Sequence, residues 1–299
     1  MFTFVPMSTA IVLMAFGKKE YYQMAYNMAL SIRRFNNDIP IHLIHDDKYS
    51  LPDYKSWVFS IRTPIDERDL YQNGSFSPGM AKLNIDRYLV HNVNIYLDVD
   101  GICIKPFDDI ILKAQNSPGY FYALISNHWW ATKETIWHYH EMPKNAEIPT
   151  INSSFLILKK GKQLSHFYAQ ARENALNGVP LNKLSMKWGR TYPDELALNV
   201  ACVQLNVNPD GGFDPVKFFG QHHKNISDMM SEAADCHFIS LFGGAGYLSR
   251  SIWENCDQLL YEYHKDMGLN HEYKWHKIHS AKHASNAKLQ EGRPPKNAQ

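Results

Sequence analysis

The chain has 299 residues, of which 44% are apolar and 13% aromatic, enough for a globular fold with a substantial core. Its 31 basic and 30 acidic residues give a formal net charge of +1, which excludes an overall electrostatic field that would attract a polyanionic partner. Any contact with nucleic acid would have to be local.

The four cysteines contain no Cys-x-x-Cys pair. Cys103 and Cys236 lie in apolar runs, so we expect reduced thiols that pack as small hydrophobic groups. The apolar run at residues 11–16 is too short to span a membrane, and it lacks the basic start and small-residue cleavage site of a signal peptide. The sequence therefore predicts a cytoplasmic protein with no transmembrane segment.

The first third of the chain alternates predicted strands with predicted helices. Strands are expected at residues 11–16, 40–45, 57–61 (a weaker strand) and 94–98; one helix is expected between Tyr22 and Arg33, and another from the Ser77 N-cap and Pro78 to about Val90. This alternation predicts an α/β fold with a mainly parallel, Rossmann-like sheet flanked by helices. Ligands of such sheets bind beyond the carboxyl ends of the strands, where Gly17 and Asp98 fall.

The rest of the chain has a more mixed pattern. Strands are expected at residues 121–125, 154–158 and 236–241, and helices at 162–175, 195–204 and 252–264. From Asn270 onward the sequence is rich in histidine and lysine and has few apolar anchors, so we expect a mobile tail. No internal repeat and no Pro/Gly-rich linker divides the first 265 residues.

The most informative segment, residues 94–104, is a predicted buried strand that ends in two carboxylates, Asp98 and Asp100. Residues two apart on an extended backbone point to the same face, about 7 Å apart along the chain. Carboxylate oxygens suit a hard cation that keeps other coordination positions for water or substrate phosphates. The segment therefore predicts a site for a metal ion and a diphosphate.

Residues 96–111, with their Asp-x-Asp motif, resemble the corresponding segment of glycosyltransferases with the GT-A fold, and most closely those of family eight, the glycogenin and galactosyltransferase-like group. The resemblance implies a GT-A fold, a nucleotide-sugar donor such as a UDP-sugar, a Mn²⁺ or Mg²⁺ ion, and retention at the anomeric carbon. It also implies a donor site after the first strand, for which Phe16, Gly17, Tyr21 and Tyr22 are the candidates.

Four further segments, in the same order as in that family, extend the resemblance over most of residues 11–241. The resemblance implies that Lys82 reaches the donor phosphates or sugar, that Asn152 faces the transferred sugar, that Asp194 and Glu195 lie beside the reacting carbon, and that His237 joins Asp98 and Asp100 as a metal ligand. We accordingly expect one GT-A domain at residues 1–265, with a donor half at about 8–115 and an acceptor half at about 116–265, and then a basic, His-rich tail at 266–299.

The sequence also departs from the family pattern. Gly243-Gly244-Ala245 replaces a Lys-Pro-Trp segment, so a lysine contact to the diphosphate is missing, and glycine backbone N–H groups are a possible substitute. Ser154 and Glu195 stand where glycine and glutamine are expected, which leaves the sugar and the local catalytic arrangement open.

Each candidate residue also has an ordinary structural interpretation. The Asp-x-Asp motif is often a solvated turn, His237 a core or surface histidine, and Lys82 a helix-surface lysine. Asn152 could cap a strand or turn, and Asp194, which follows Pro193, could be an N-cap. The two tyrosines could face the core rather than stack on a base, and the aromatic cluster of Trp129, Trp130, Trp137 and His138 could be a ligand platform or a packed lid.

The sequence therefore favours an enzyme that transfers a hexose or pentose from a nucleoside-diphosphate sugar to an acceptor hydroxyl, with a saccharide as the expected acceptor. Two alternatives stay open. One is glycosylation of a hydroxymethylated base in DNA, with the basic tail and the cluster around Trp129 as the contacts. The other is a non-catalytic nucleotide-sugar binding protein, which the loss of Lys-Pro-Trp favours.

Overall fold

The computed structural model describes residues 8–49, 56–72, 74–125, 147–177, 193–218, 226–240 and 250–269, with side chains from residue 255 onward in the last range. The chain forms two compact units. Unit one comprises Met1–Ala25, Asp38–Val99 and Phe107–Asp214, and unit two comprises Tyr26–Asn37, Asp100–Pro106 and Pro215–Gln299.

The chain forms the following strands and helices, several of which the sequence pattern does not predict. The strands are β1 (Thr9–Ala15), β2 (Ile41–His45), β3 (Ile61–Pro64), β4 (Tyr71–Gln72), β5 (Ser75–Phe76), β6 (Val93–Leu97), β7 (Gly101–Cys103), β8 (Phe121–Ile125), β9 (Ile151–Lys159), β10 (Val216–Phe218) and β11 (Phe238–Ser240). The helices are α1 (Lys19–Phe35), α2 (Pro78–Leu83), α3 (Asp108–Asn116), α4 (Lys162–Asn177), α5 (Asp194–Leu205), α6 (Ile226–Glu232) and α7 (Arg250–Asp266). Short 3-10 turns lie at Glu67–Leu70 and Ile85–Arg87.

Unit one contains a six-stranded sheet in the order β3-β2-β1-β6-β9-β8. β3, β2, β1 and β6 pair in parallel, whereas β9 runs antiparallel to both β6 and β8. All seven residues of β1 are buried, as expected for a central strand covered on both faces. The mainly parallel α/β sheet predicted from the sequence is therefore confirmed, and the carboxyl ends of four strands lie along one edge.

Helices α2, α4 and α5 pack on this sheet around one apolar core. Phe121 on β8 lies with its ring centroid 4.4 Å from that of Phe167 on α4. Helix α5 is apolar nearly all round, and the Oδ1 atom of its buried Asn199 accepts a hydrogen bond from the backbone N–H of Ile151 at 3.1 Å. This bond fixes α5 against the start of β9, so that the first turn of the helix is held beside the sheet.

Two elements differ most from their predicted bounds. The predicted strand at 57–61 is wrong, because Phe59 N–H closes a turn on Ser56 C=O and the strand begins at Ile61. The helix that begins after Ser77 ends at Leu83, not near Val90. At Asn84 the side-chain amide donates to the Met80 and Asp69 carbonyls, and such a bond to the backbone competes with helix continuation.

Ser77 is the N-cap of α2, as predicted, and its Oγ accepts a hydrogen bond from Met80 N–H at 3.2 Å. Ser77→Ala removes this bond and is expected to lower the free energy of unfolding by about 1 kcal/mol. Urea unfolding measures the change. Ser165→Ala, on the exposed surface of α4, is the control and should change stability by less than about 0.5 kcal/mol. Equal effects of the two variants would contradict the capping role.

Unit two contains a three-stranded sheet in the order β10-β11-β7. β11 pairs in parallel with β10 and antiparallel with β7. Cys103 on β7 is buried, its N–H donates to Ser31 Oγ on α1 at 2.9 Å, and its carbonyl accepts from Tyr263 OH on α7 at 3.3 Å. None of the four cysteines forms a disulfide; Cys103, Cys202 and Cys256 are buried and Cys236 is half-buried. In the part of the chain that the structure describes, no helix is both long and apolar enough to cross a membrane.

Candidate functional site

Polar side chains from four elements of unit one meet at the carboxyl end of β6. They are Lys82 on α2, Asp98 directly after β6, Ser153 on β9, and Asp194 and Glu195 in the first turn of α5, and we call them the Lys82 cluster. Lys82 Nζ lies 3.0 Å from Asp98 Oδ1 and 3.5 Å from Asp194 Oδ2. One lysine thus pairs with two carboxylates that are far apart in the sequence.

The backbone explains why these residues meet. β6 and β9 are paired up to Leu97 and Phe155, and Asp98 N–H extends the ladder by donating to Ser154 C=O at 2.9 Å. This pairing holds Asp98 next to Ser153. The first turn of α5 brings two carboxylates to the same place, where the positive end of the helix dipole favours negative charge.

Ser153 links the lysine to both carboxylates of α5. Its hydroxyl donates to Asp194 Oδ2 at 2.7 Å and accepts from Lys82 Nζ at 3.0 Å, and its backbone N–H donates to Glu195 Oε1 at 3.1 Å. The sequence analysis did not identify Ser153. Only its position, next to Asn152 in the segment that resembles the family, pointed to it.

Two of the ordinary interpretations do not hold here. Lys82 is no helix-surface lysine, because only 15% of its side chain is exposed. Burial by itself would lower the pKa of Lys82, but the negative charges of Asp98 and Asp194 outweigh burial and raise that pKa well above its usual range. Asp194 is no N-cap, because Pro193 holds that position and the Asp194 carboxylate turns to Ser153 and Lys82. Lys82 is therefore a permanently charged group inside the cluster.

Tyr96 also contacts the cluster and was missed by the sequence analysis as a site residue. Its hydroxyl donates to Asp98 Oδ1 at 2.6 Å, and its ring centroid lies 5.2 Å from Lys82 Nζ, a cation–π distance. Burial, followed by the charge of Asp98, raises the pKa of Tyr96 well above its usual range, so the hydroxyl stays a neutral donor. Both donors engage the same oxygen of Asp98, which orients the carboxylate.

The other predicted metal ligands, Asp100 and His237, belong to unit two. The antiparallel register of β11 on β7 places Ser240 opposite Gly101, next to Asp100. His237 lies at the other end of this ladder, where its carbonyl accepts from Ile104 N–H at 2.9 Å. Asp100 directly precedes β7 and His237 directly precedes β11. Their role as metal ligands stays a prediction.

This geometry bears on the expected metal ion. Two carboxylates and an imidazole have the right chemistry for Mn²⁺. Among the residues that the structure describes, no group of three or more His, Cys, Asp or Glu side chains is placed to hold a metal ion. That Asp98, Asp100 and His237 hold a metal ion stays a prediction.

Asn152 has a local partner. Its Oδ1 atom accepts a hydrogen bond from Ser154 N–H at 2.9 Å, the turn-stabilising role that was the alternative to sugar binding. Its role toward a sugar stays a prediction. The aromatic cluster of Trp129, Trp130, Trp137 and His138, the segment Gly243-Gly244-Ala245 and the tail from Asn270 lie outside the described residues.

The predicted nucleotide-binding residues lie at the carboxyl end of β1. Gly17 has φ +79°, and its N–H donates to Asp46 Oδ2 at 2.8 Å. Phe16 and Tyr22 are buried, whereas Tyr21 is half-buried. The Tyr22 hydroxyl contacts the Asp46 side chain, and burial followed by this contact raises the pKa of Tyr22. The sequence analysis missed Asp46. It could have been found by its position, because Asp46 directly follows β2 just as Asp98 directly follows β6.

No protein-family model and no curated protein matches the sequence. Solved structures do match. The bifunctional glycosyltransferase WbbM is similar over 89% of this chain with a TM-score of 0.54 and 11% identity, and this chain spans only 52% of the length of that one. The galactosyltransferase LgtC, solved with donor and acceptor sugar analogs, is similar over 88% of this chain and 98% of its own, with a TM-score of 0.52 and 15% identity. At these identities the likeness shows the fold, and the predicted GT-A fold is confirmed.

Proposed function

We propose that this protein is a glycosyltransferase that moves a sugar from a nucleoside-diphosphate donor, in the first instance UDP, to an acceptor hydroxyl. The observation that carries the proposal is the Lys82 cluster, which combines one buried cation with three carboxylates at the carboxyl end of β6. Ligands of open α/β sheets bind at this edge. The similarity of the fold to WbbM and LgtC supports the same function.

Lys82 has the properties needed to stabilise the leaving group. Negative charge develops on the diphosphate as it departs, and a fixed cation in a site shielded from water stabilises such charge far better than one in bulk water. Because the pKa of Lys82 is raised, its ammonium group is charged at any physiological pH. In the proposed complex the lysine exchanges part of its contact with Asp98 and Asp194 for the phosphate oxygens.

The carboxylates at the start of α5 have the complementary role. As the bond between the anomeric carbon and the donor phosphate oxygen breaks, positive charge grows on the sugar, and Asp194 with Glu195 would stabilise it. A bond then forms from the acceptor oxygen to that carbon, and the acceptor proton passes to the departing phosphate oxygen. This sequence fits retention, and Ser153 is a positioning residue that holds both carboxylates.

The Mn²⁺ or Mg²⁺ requirement is a separate prediction that follows from the sequence resemblance. No step above depends on it. A saccharide remains the proposed acceptor. Nothing in the described residues favours modified DNA, whose expected contacts, the tail and the Trp129 cluster, lie outside them.

Donor hydrolysis tests the proposal and separates it from the non-catalytic alternative. UDP-, GDP- and CDP-sugars are incubated with the protein without acceptor, with and without Mn²⁺, and release of the nucleoside diphosphate is followed by chromatography. We expect slow release from the sugars of one nucleotide, lost in Asp98→Asn. A donor that binds but is never cleaved, with or without saccharide acceptors, would show a binding protein instead.

A further inference from the structure

Two exposed aromatic side chains lie around Gly17 and Asp46, where β1 and β2 end. Phe76, on the hairpin of β4 and β5, is 37% exposed, and Tyr49, which follows β2, is 40% exposed. Neither residue was a candidate in the sequence analysis, because each is separated from Gly17 by a long stretch of chain. Large aromatic surfaces left in contact with solvent at a ligand-binding edge are candidates for ligand contact.

Phe76 and Gly17 are in unusually close contact. A Cβ atom built on Gly17 would lie 2.9 Å from Phe76 Cζ, closer than such contacts allow, and the φ of +79° is itself strained for other residues. Because Gly17 has no side chain, its backbone can lie directly against the Cζ end of the Phe76 ring. Tyr71 also contacts Phe76, edge-to-face with ring centroids 6.0 Å apart, and supports the ring from the same hairpin.

Tyr49 is fixed to the same place through Asp46. The Tyr49 ring packs edge-to-face on the buried Tyr22 ring, with centroids 5.9 Å apart. The Tyr22 hydroxyl contacts Asp46, whose other carboxylate oxygen accepts from Gly17 N–H. One Asp46 carboxylate oxygen thus holds the Gly17 backbone and the other holds the Tyr22 hydroxyl. The buried Tyr22 supports Tyr49 and is not itself an exposed surface.

We infer that Phe76 and Tyr49 form the surface on which the planar base of a nucleotide stacks, an inference that rests on the proposed nucleotide-sugar function. Bases stack on exposed aromatic rings with little dependence on sequence, because every base has a π-face. Lys48 supports a nucleotide as the occupant, since its exposed Nζ lies 5.8 Å from the Phe76 centroid and adds positive charge for a phosphorylated ligand. Phe76 and Tyr49 thereby take the stacking role that the sequence analysis expected of Tyr21 or Tyr22.

Isothermal titration of the full-length protein with UDP, GDP, CDP and ADP, with Mn²⁺ present, tests this inference. Phe76→Ala should weaken binding of the tightest of these nucleotides by about ten-fold or more, and Phe76→Tyr, which keeps the ring, should bind within about two-fold of the wild type. The matched control is Trp57→Ala. Trp57 is 46% exposed but precedes β3, at the opposite edge of the parallel strands, and its removal should leave affinity unchanged.

The outcomes separate the inference from the function on which it rests. If the wild type binds a nucleotide and Phe76→Ala binds it equally well, the stacking role is overturned while the proposed function stands. If Phe76→Tyr loses as much nucleotide affinity as Phe76→Ala, the stacking role is also overturned, since an aromatic ring at this position would not be sufficient for binding. If none of the four nucleotides binds the wild type, both proposals fail. Urea unfolding of each variant shows whether it is folded under the conditions of the titration, so that affinities are compared between folded proteins only.

Discussion

Asp194→Asn is expected to lower kcat for sugar transfer by about 10²–10³-fold with a much smaller change in KM. Asparagine keeps the shape of the side chain and can still accept the hydrogen bond from Ser153 Oγ. What it loses is the negative charge, which the proposed mechanism uses only when positive charge grows on the sugar. An interaction made chiefly in the transition state affects kcat, and steady-state kinetics with the donor identified by hydrolysis measures the effect.

The matched control is Glu173→Gln, which neutralises an exposed carboxylate on α4 and should leave kcat within about two-fold. A kcat of Asp194→Asn within about three-fold of the wild type would contradict a direct role for this carboxylate. An increase in KM of Asp194→Asn without a change in kcat would show instead that Asp194 binds the donor equally well in the ground state and in the transition state.

Lys82→Met is expected to reduce both stability and donor affinity. The methionine fills a similar volume but leaves Asp98 and Asp194 without their shared cation, and removing one partner of a buried ion pair costs about 3–5 kcal/mol. The loss of the charge should weaken binding of a nucleoside diphosphate by about 10²-fold, in line with about 1.5–3 kcal/mol for hydrogen bonds to charged groups. Urea unfolding and titration calorimetry measure the two effects.

The pH dependence of this effect has a definite sign. The pKa of Lys82 in the folded protein is raised, so its stabilising contribution is fully present below the usual lysine pKa and is lost only as the pH rises through the raised value. The difference in stability between the wild type and Lys82→Met should therefore be constant below the usual lysine pKa and shrink only as the pH rises through the raised value. Urea unfolding of both proteins at several pH values measures it.

Two control variants test whether the effect of Lys82→Met comes from the lost charge at this position. Lys82→Arg retains the positive charge and should recover most of the stability lost in Lys82→Met. Lys160→Met, at an exposed lysine after β9, should change stability by less than about 0.5 kcal/mol. If Lys82→Met were as stable as the wild type at neutral pH, the ion pairs that organise the cluster would have no energetic significance.

The sequence predicted the sheet well because its signal is local. The run from Ile11 to Phe16 and the strand before Asp98 are continuous apolar segments, and alternation with helices determines their parallel arrangement. The early end of α2 could not be predicted from the sequence pattern, because it depends on hydrogen bonds from the Asn84 side chain to the carbonyls of Met80 and Asp69. The residue spacing that predicts a helix does not reveal such tertiary contacts.

The same distinction applies to the candidate site. Asp98 was found from the apolar strand that it ends, and Lys82 and Asp194 from the resemblance. The structure brings the three together. Ser153 and Tyr96 were missed, because their importance lies in contacts across strands that spacing does not reveal. His237 was also found from its order in the sequence, and its role as a metal ligand stays a prediction.

The most direct test of the central claim, that the Lys82 cluster is a nucleotide-sugar site, is thermal unfolding of the wild type and Lys82→Met with UDP, GDP, CDP and their sugar conjugates, each with and without Mn²⁺. We expect one nucleotide and its sugars to raise the Tm of the wild type, since a ligand that binds only the folded state stabilises it, and to have little effect on the variant. The Mn²⁺ arm shows whether donor binding needs the ion. No shift with any nucleotide in either condition, or equal shifts in both proteins, would contradict the assignment of the Lys82 cluster as the donor site.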